Sequence, residues 1–309
     1  MKGSLPEVHR VLTGIPDFSG LAADSYTTQR LGGLTNMVFK IDMGKDRYVL
    51  RIPGKGTEQY IDRSVEIHNA RVAARAGVSA EVIYANTVSG VMLTRHIDDI
   101  VTMTPEEFSN RDRSAARAGK ALKQMHSFPE AFQFRFELFA MIDEYLKVLD
   151  ERKAELPGGY SDLVRAALPV REALHRNPVD LVPCHCDPLC ENFLDSGERM
   201  WIVDWEYSGM NDPLWDLGDL SVEAGFTPEQ DLELIWAYCG GEPGRSEIAR
   251  MTIYKAMCDL LWTLWGLIQH SDGNQAEDFW AYSIERFERC KSLMTSAAFD
   301  QHVNDIGIK

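Results

Sequence analysis

The chain has 309 residues, 45% of them hydrophobic and 26% charged, which is an ordinary globular composition and enough for one large or two modest domains. Its net charge of −15 argues against nucleic acid or an anionic membrane surface as a partner and suits a cationic small substrate. The start, MKGSLPEVHRVLTG, lacks the apolar core of a signal peptide, and the longest strongly apolar run, Leu260 to Ile268, is too short to span a bilayer. Six irregularly spaced cysteines are typical of reduced thiols, so we expect a cytoplasmic protein without a membrane span.

The first 95 residues predict a small antiparallel sheet with one helix. The predicted elements, in chain order, are a helix-prone start in residues 1–26, three strands in TTQRLGGLTNMVFKIDMGKDRYVLRIPG, a helix from about Gln59 to Ala76, and a hairpin of residues 82–86 and 90–94. Gly77 follows the helix as a residue that commonly ends one.

Residues 97–180 and most of the chain after residue 216 predict helices. The sequence Thr104-Pro105-Glu106 is a strong helix start, with threonine as the cap and proline at the first position. The other predicted helices are Ala115–Met125, Phe136–Glu155, Ser161–Arg176 with a bend at Pro169, and segments at about 228–239, 246–270 and 275–292.

Between these helical regions lies the stretch with the clearest chemistry. His185, Asp187 and Asn192 form the pattern H-x-D-x-x-x-x-N, and Asp204 follows twelve positions after the asparagine. The residues between Asn192 and Asp204 predict two short strands joined by a turn at residues 195–199, which returns Asp204 to the side of Asn192 and Asp187. A base, an amide and a carboxylate in this order are what the kinase fold uses for Mg²⁺-assisted phosphoryl transfer.

The segment IVDWEYSGMNDPLWDLGDLS is similar throughout to the bacterial choline-kinase form. The chain therefore resembles the choline/ethanolamine kinase family, in the aminoglycoside-phosphotransferase-like branch of the protein-kinase-like fold. The resemblance implies an α+β, two-lobed architecture, with an antiparallel-sheet N-terminal lobe (residues 1–95) and a larger, mostly helical C-terminal lobe (residues 96–309). It also implies an ATP- and Mg²⁺-dependent kinase in which Asp187 is the catalytic base and Asn192 and Asp204 hold the metal.

The same resemblance assigns nucleotide-binding residues in the first 95 positions. The family keeps a similar G-G-x-T-N turn, so Thr35 and Asn36 are expected to face phosphate oxygens. Arg51, in an L-R-I-P-G context, takes the place of the phosphate-binding lysine of protein kinases, and a guanidinium can bind two phosphate oxygens. Glu66 is the expected ion-pair partner of Arg51, and Asp62 is the alternative.

The acceptor site is predicted from aromatic residues near the C-terminus. Trp262 and Trp265 lie three residues apart and share a helix face, where core packing is the alternative interpretation. Choline kinases have a similar W-x-x-W and a tyrosine seventeen positions later, here Tyr282. Aromatic faces attract a quaternary ammonium by roughly 0.5–2 kcal/mol per ring, and Glu206 is the candidate carboxylate. The expected partner is a small cationic amino alcohol, choline or ethanolamine, and a homodimer is compatible with the sequence.

Three alternatives remain open from the sequence. The acceptor could instead be an aminoglycoside, homoserine or a thiosugar. The protein could be an inactive sensor of quaternary amines, although Asp187, Asn192 and Asp204 are all retained. The third alternative is a zinc or redox site at Cys184, Cys186 and Cys190, but their spacing lacks the C-x-x-C of common structural sites and favours apolar packing. His126, His185 and Asp216 are expected to be structural.

Overall fold

The computed structural model describes residues 5–32, 36–54 and 61–308. The first part of the chain forms a five-stranded antiparallel sheet with strand order β1-β2-β3-β5-β4. Its elements are α1 (Leu5–Thr13), β1 (Thr27–Gly32), β2 (Asn36–Met43), β3 (Asp46–Pro53), α2 (Arg63–Arg75), β4 (Val82–Ala85) and β5 (Met92–Arg95). The predicted antiparallel sheet with one helix is confirmed, and only the start of the predicted helix differs. Gln59 lies outside the described residues, and the helix begins at Arg63 because Asp62 caps it by accepting hydrogen bonds from the amides of Ser64 and Val65.

The rest of the chain is mostly helical, as predicted. Its elements are β6 (Val101–Thr102), α3 (Pro105–Asn110), α4 (Ser114–His126), α5 (Leu138–Glu151), α6 (Tyr160–Ala166), α7 (Leu168–Arg176), β7 (Val182–Cys184), β8 (Phe193–Asp195), β9 (Met200–Ile202), β10 (Gly209–Asn211), α8 (Pro213–Glu223), α9 (Pro228–Cys239), α10 (Arg245–Ser271), α11 (Phe279–Met294) and α12 (Phe299–Asp305). Two small sheets, β6-β8-β9 and β10-β7, interrupt the helices around residues 182–211. Within the described ranges, no helix has both the length and the apolar character needed to cross a membrane.

One segment predicted as a single helix forms two helices. The segment predicted as a single bent helix, residues 161–176, forms two helices that meet at Ala167. Pro169 lies in the first turn of α7, where its missing N–H costs nothing, and it cannot continue α6 because it lacks the amide that an interior position needs.

Helix α2 packs on the core of the large helical part, although its sequence lies within the sheet region. The strands share a core that includes Phe39, Ile41 and Leu50. The buried side chains of α2, such as Ile67 and Val72, belong instead to the larger core formed by the C-terminal helices. Helix α2 thus lies between the two regions, and a side chain on its sheet-facing side can reach residues from both.

The β8–β9 hairpin is fixed by a buried carboxylate at its turn. The side chain of Asp195 has no solvent-exposed surface and accepts hydrogen bonds from Arg111 Nε at 2.7 Å, Arg117 Nε at 2.7 Å and the Gly197 amide at 3.0 Å. Burial by itself would raise the pKa of Asp195, but the hydrogen bonds from Arg117 and Arg111 outweigh burial and hold the pKa below its ordinary value. The ionised carboxylate therefore stabilises the hairpin.

We predict that Asp195→Asn lowers the free energy of unfolding by about 1.5–3 kcal/mol at pH 7, because two arginines lose a charged acceptor. Since the folded-state pKa is depressed, the stabilisation is complete above the ordinary aspartate pKa of about 3.9 and is lost as the pH falls through the folded-state value. The difference between parent and variant in a urea titration should therefore shrink as the pH approaches 3.

The matched control is Asp162→Asn, which removes a carboxylate from an ion pair with Arg165 whose side chains are 74% and 69% exposed. Exposed pairs contribute little, so this variant should unfold like the parent. Equal unfolding of Asp195→Asn and the parent at pH 7 would contradict the assigned role of Asp195.

Candidate active site

The loop after β7 takes its shape from Asp216, near the start of α8. Its carboxylate accepts hydrogen bonds from the backbone amides of His185 (2.7 Å) and Cys186 (2.8 Å). Cys186 has a φ of 67°, a conformation that a non-glycine residue adopts only when its surroundings impose it. The indole of Trp215 also donates to the Cys186 carbonyl at 3.1 Å. The expectation that Asp216 is structural is confirmed, since it fixes the backbone just before Asp187.

A second layer of contacts supports Asp216 itself. His126 Nε2 lies 3.0 Å from an oxygen of Asp216, and its Nδ1 lies 3.0 Å from the hydroxyl of Tyr238. Among the described residues, His126, Cys184 and Asp216 lie close enough to share a metal ion. The hydrogen bonds of His126 and Asp216 already use these ligand atoms, and burial raises the pKa of the Cys184 thiol well above its ordinary value. This group is a structural clamp, which agrees with the structural roles expected for His126 and the cysteines.

The hairpin brings Asp187, Asn192 and Asp204 to one end. The Val203 amide donates to the Asn192 carbonyl at 2.9 Å, which places Asp204 next to Asn192. The side-chain amide of Asn192 donates to the Asp187 carbonyl at 3.0 Å, and His185 Nε2 lies 2.9 Å from the Val203 carbonyl. His185 therefore braces the loop, as expected. The predicted meeting of the base with the two metal ligands is what this backbone arrangement produces.

The carboxyl group of Asp187 lies in buried, negatively charged surroundings. Burial raises its pKa well above the ordinary value, and the negative charges of Asp219, Asp204 and Glu223 add to this, while Arg286 opposes it. Burial would also raise the pKa of Glu223, but the charge and hydrogen bonds of Arg286 outweigh it and lower that pKa. Glu223 is thus an ionised, paired carboxylate near Asp187.

Asp219, Glu223 and Arg286 were missed from the sequence. Glu223 lies at the end of α8 and Arg286 in α11, and Arg286 Nη2 donates to Glu223 Oε2 at 2.8 Å. No local pattern joins residues so far apart in the chain. Only the packing of α8 and α11 against α10 brings them together.

Arg51 and Glu66 form the predicted ion pair across β3 and α2. Arg51 Nη1 also lies 3.1 Å from Asp204 Oδ1 and 3.3 Å from Glu206 Oε1. Burial would lower the pKa of Arg51, but Glu66, Asp204 and Glu206 outweigh it and raise the pKa. The alternative partner, Asp62, caps α2 instead. The predicted phosphate-binding arginine therefore lies directly beside the predicted metal ligand.

The predicted phosphate-binding turn is only partly described. Thr35 lies outside the described residues. Asn36 is buried at the start of β2, and its side-chain amide donates to Glu206 Oε1 at 3.0 Å. Asn36 Oδ1 and Arg51 Nε are buried atoms with no hydrogen-bond partner among the described residues. For Arg51, an anionic oxygen from a ligand would supply the partner that a buried donor requires.

The donor set at the hairpin end fits a hard divalent cation. Asp204 and Asn192 offer a carboxylate and an amide, the oxygen ligands that Mg²⁺ prefers, and the Asp204 side chain is 38% exposed. Desolvation in the cleft, followed by the charge of Glu206, raises the pKa of Asp204 to about 7, against the opposing effect of Arg51. An excess of negative charge of this kind is relieved by binding a cation.

The three aromatic residues predicted for the acceptor site form one cluster, extended by Tyr207 and Phe279. The centroids of Trp262 and Trp265 lie 6.4 Å apart, and those of Trp265 and Tyr282 lie 5.8 Å apart, all in edge-to-face arrangements. The Trp265 indole donates to the Tyr207 hydroxyl at 3.1 Å. Gly266 permits this packing, because a methyl group there would lie 2.6 Å from Tyr282 Cδ1 and 2.4 Å from Ser283 Oγ.

A cavity of about 460 Å³ lies beside this cluster. Trp265, Tyr207 and Glu206 line it, together with apolar and aromatic side chains from residues 134–145. Trp262 and Tyr282 do not line it. Trp262 is 4% exposed and donates from its indole to Asp219 at 3.3 Å, and Tyr282 has the Arg286 guanidinium over its ring at 4.2 Å. Of the three predicted rings, Trp265 alone faces the cavity.

Glu206 lies at the cavity edge but points its Oε1 at three donors from the sheet region and α2: Asn36, Arg51 and Arg63. Arg63 was also missed from the sequence. Its signal was available, because Arg63 and Glu66 are spaced i, i+3 on one helix, a spacing that favours an ion pair.

Several known proteins are similar to this chain in sequence and fold. The model of the phosphotransferase enzyme family matches residues 27–251. The crystal structure of a choline/ethanolamine kinase family protein from Mesorhizobium loti is 55% identical, with a TM-score of 0.90 over 98% of this chain and 99% of that chain. The choline kinase LicA from Streptococcus pneumoniae is 25% identical, with a TM-score of 0.75 over 93% of this chain and 99% of that one. A structure of LicA in complex with AMP is 25% identical, with a TM-score of 0.72 over 94% and 99% of the two chains.

We predict that Gly266→Ala disrupts the aromatic cluster, since the new methyl group must displace Tyr282 or separate α10 from α11. Overpacking of this kind destabilises a protein by about 1–3 kcal/mol. The variant should unfold at a lower temperature than the parent and show a changed near-ultraviolet circular dichroism signal from its tryptophans.

Gly241→Ala is the control, because a methyl group there would meet no described atom within 4 Å. It should leave both the unfolding temperature and the spectrum unchanged. Identical behaviour of the two variants would show that Gly266 does not govern the packing of the cluster.

Proposed function

Because the chain belongs to the choline/ethanolamine kinase family, we propose that it transfers the γ-phosphoryl group of ATP to the hydroxyl of choline or ethanolamine in the presence of Mg²⁺. The family already makes the protein a small-molecule kinase, and the proposal concerns the nucleotide, the metal and the acceptor. The observation that supports it best is the meeting of Asp187, Asn192 and Asp204 at one end of the hairpin, beside Arg51 and next to an aromatic cavity.

Asp187 is the proposed catalytic base. It accepts the proton of the acceptor hydroxyl as that oxygen bonds to the γ-phosphorus, while the bond from the γ-phosphorus to the bridging oxygen breaks and ADP leaves. Its raised pKa suits this role, because a more basic carboxylate takes a proton more readily. Asp216 contributes indirectly by fixing the loop backbone that carries Asp187.

Asn192 and Asp204 are the proposed ligands of Mg²⁺, which when bound would neutralise charge on the phosphates. Arg51 is proposed to bind phosphate oxygens, with Glu66 orienting its guanidinium. Asn36 and Thr35 are proposed to contact the phosphates from the preceding turn. The AMP complex of LicA supports a nucleotide site in this family.

The acceptor is proposed to enter the cavity lined by Trp265 and Tyr207, with Trp262 and Tyr282 completing the aromatic surroundings and Glu206 at the edge. A ring face attracts a diffuse quaternary ammonium. Among the described residues, the carboxylates that line the cavity are Asp62 and Glu206, and Glu206 is already paired with arginine. This lining gives an aminoglycoside with several ammonium groups few acidic partners.

Two further parts of the proposal concern the chain as a whole. Residues 1–95 and 96–309 are proposed as the two lobes, with the nucleotide between them. A cytoplasmic location is proposed because ATP and reduced cysteines are both found there.

We predict turnover of ATP with choline or ethanolamine, and not with homoserine, a thiosugar or two aminoglycosides, in an ADP-release assay with Mg²⁺. Asp187→Ala should lower kcat by about 10²- to 10⁴-fold, the usual contribution of a positioned base. Asp180→Asn, at an exposed position before the same loop, is the control and should retain parental turnover.

Turnover with one of the other acceptors alone would overturn the assigned substrate while leaving the catalytic residues in place. Near-parental kcat in Asp187→Ala would overturn the assignment of the base.

We also predict that Trp265→Ala raises KM for the amino alcohol about tenfold or more, with little change in KM for ATP, because a ring face and its apolar area are removed from the cavity. Trp236→Ala is the matched control, since Trp236 is 48% exposed on α9, away from the cavity. Equal increases in KM for both substrates would argue against a role for Trp265 in acceptor binding.

A further inference from the structure

Two arginines share the carboxylates at the junction of the sheet region and the helical region. Glu66 Oε1 accepts from Arg51, and Glu66 Oε2 accepts from Arg63 Nη1 at 2.7 Å. The same Arg63 nitrogen donates to Glu206 Oε1 at 2.7 Å, where Arg51 is more distant, at 3.3 Å. Arg63 can therefore neutralise both of the carboxylates that Arg51 also contacts.

Arg51 also contacts a third carboxylate. It lies 3.1 Å from Asp204, the proposed metal ligand. In the proposed function, on which this inference rests, Arg51 binds phosphate oxygens while these carboxylates compete for its guanidinium. If these carboxylates had no other cationic partner, they would hold the Arg51 guanidinium more tightly, because each buried charge would lose its partner when Arg51 moved.

The position of Arg63 is tightly defined by its neighbours. Its side chain is 7% exposed. A methyl group at Gly90 would lie 2.8 Å from Arg63 Nε and 2.9 Å from Arg63 Cδ, and Gly90 has a φ of 68° that favours glycine. The turn between β4 and β5 thus packs directly on the stem of Arg63 and fixes its guanidinium between Glu66 and Glu206.

We propose that Arg63 is a positioning residue for nucleotide binding: it neutralises Glu66 and Glu206 and so makes Arg51 available to the phosphates. Arg63 touches neither substrate nor metal in this role. Glu206 correspondingly links the two lobes, as the common acceptor of Asn36, Arg51 and Arg63.

The experiment is calorimetric titration of a non-hydrolysable ATP analogue with Mg²⁺ into the full chain. Arg63→Met keeps the length of the side chain and removes its charge, and it should raise the dissociation constant about tenfold, in the range of coupling between contacting charges. Arg63→Lys should stay within about threefold of the parent, because the hydrogen bonds to Glu66 and Glu206 come from one nitrogen, Nη1, that an ammonium can replace. Arg75→Met is the control on the same helix, since Arg75 pairs with Glu130 at the surface, and it should bind the nucleotide like the parent.

The double variant Arg63→Met/Glu206→Gln separates this role from simple packing. Removing one carboxylate restores the charge balance around Arg51, so the dissociation constant should return to within about threefold of the parent. A purely structural arginine predicts the opposite, a double variant at least as weak as Arg63→Met. That result, or parental affinity of Arg63→Met, would overturn the proposal.

A substitute variant and the measurement of affinity without an acceptor complete the test. If Arg63→Met does not fold by circular dichroism, Arg63→Gln takes its place, because it keeps a hydrogen-bond donor without the charge: it should raise the dissociation constant about tenfold, and parental affinity would contradict the proposal. Nucleotide affinity is measured without an acceptor. Absence of turnover with choline and ethanolamine in the parent would therefore count against the proposed function, while the affinities of the Arg63 variants would still decide the inference.

Discussion

The site depends first on the two backbone hydrogen bonds that Asp216 accepts from His185 and Cys186. A buried carboxylate that binds two amides fixes a loop more firmly than neutral acceptors would, because charge-assisted hydrogen bonds are about twice as strong. These bonds permit the positive φ of Cys186 and set the direction in which the chain leaves toward Asp187. The tight hairpin that follows then returns Asp204 to the same place, so one buried side chain determines where three functional groups meet.

Charge balance is the second constraint on the cleft. Among the described residues, Glu66, Asp204 and Glu206 face Arg51 and Arg63, so carboxylates outnumber guanidinium groups in this part of the cleft. The effect is seen at Asp204, where desolvation in the cleft and then the charge of Glu206 raise the pKa to about 7. A divalent cation at Asp204 would offset this excess of negative charge. Under the proposed function, Mg²⁺ bound there would also offset the charge of the phosphates at Arg51, which is a physical reason for metal and nucleotide to bind together.

Local signals in the sequence predicted most of the fold and those contacts of the site that depend on residues close together in the chain. Asp187, Asn192 and Asp204 could be placed because a tight turn fixes their relation within a short stretch, and Arg51 with Glu66 because a strand is followed by a helix. Arg286 and Glu223 could not be paired, since their contact depends on how α8 and α11 pack on α10. The direction of the Glu206 side chain could not be predicted either. Its neighbours in the chain suggested the acceptor site, whereas its hydrogen bond from Arg63 directs it toward α2.

The rings of the aromatic cluster differ in what they contact: some pack against charged residues of the protein, and others line the cavity. The Tyr282 ring carries the Arg286 guanidinium at 4.2 Å, so one face already has a cation bound from within the protein. Trp262 is almost wholly buried and orients Asp219 through its indole. These two rings mainly support the carboxylates around Asp187, while Trp265 and Tyr207 present surface to the cavity. Under the proposed function, a substrate cation that reached Tyr282 would share the ring with Arg286, which is itself paired with Glu223.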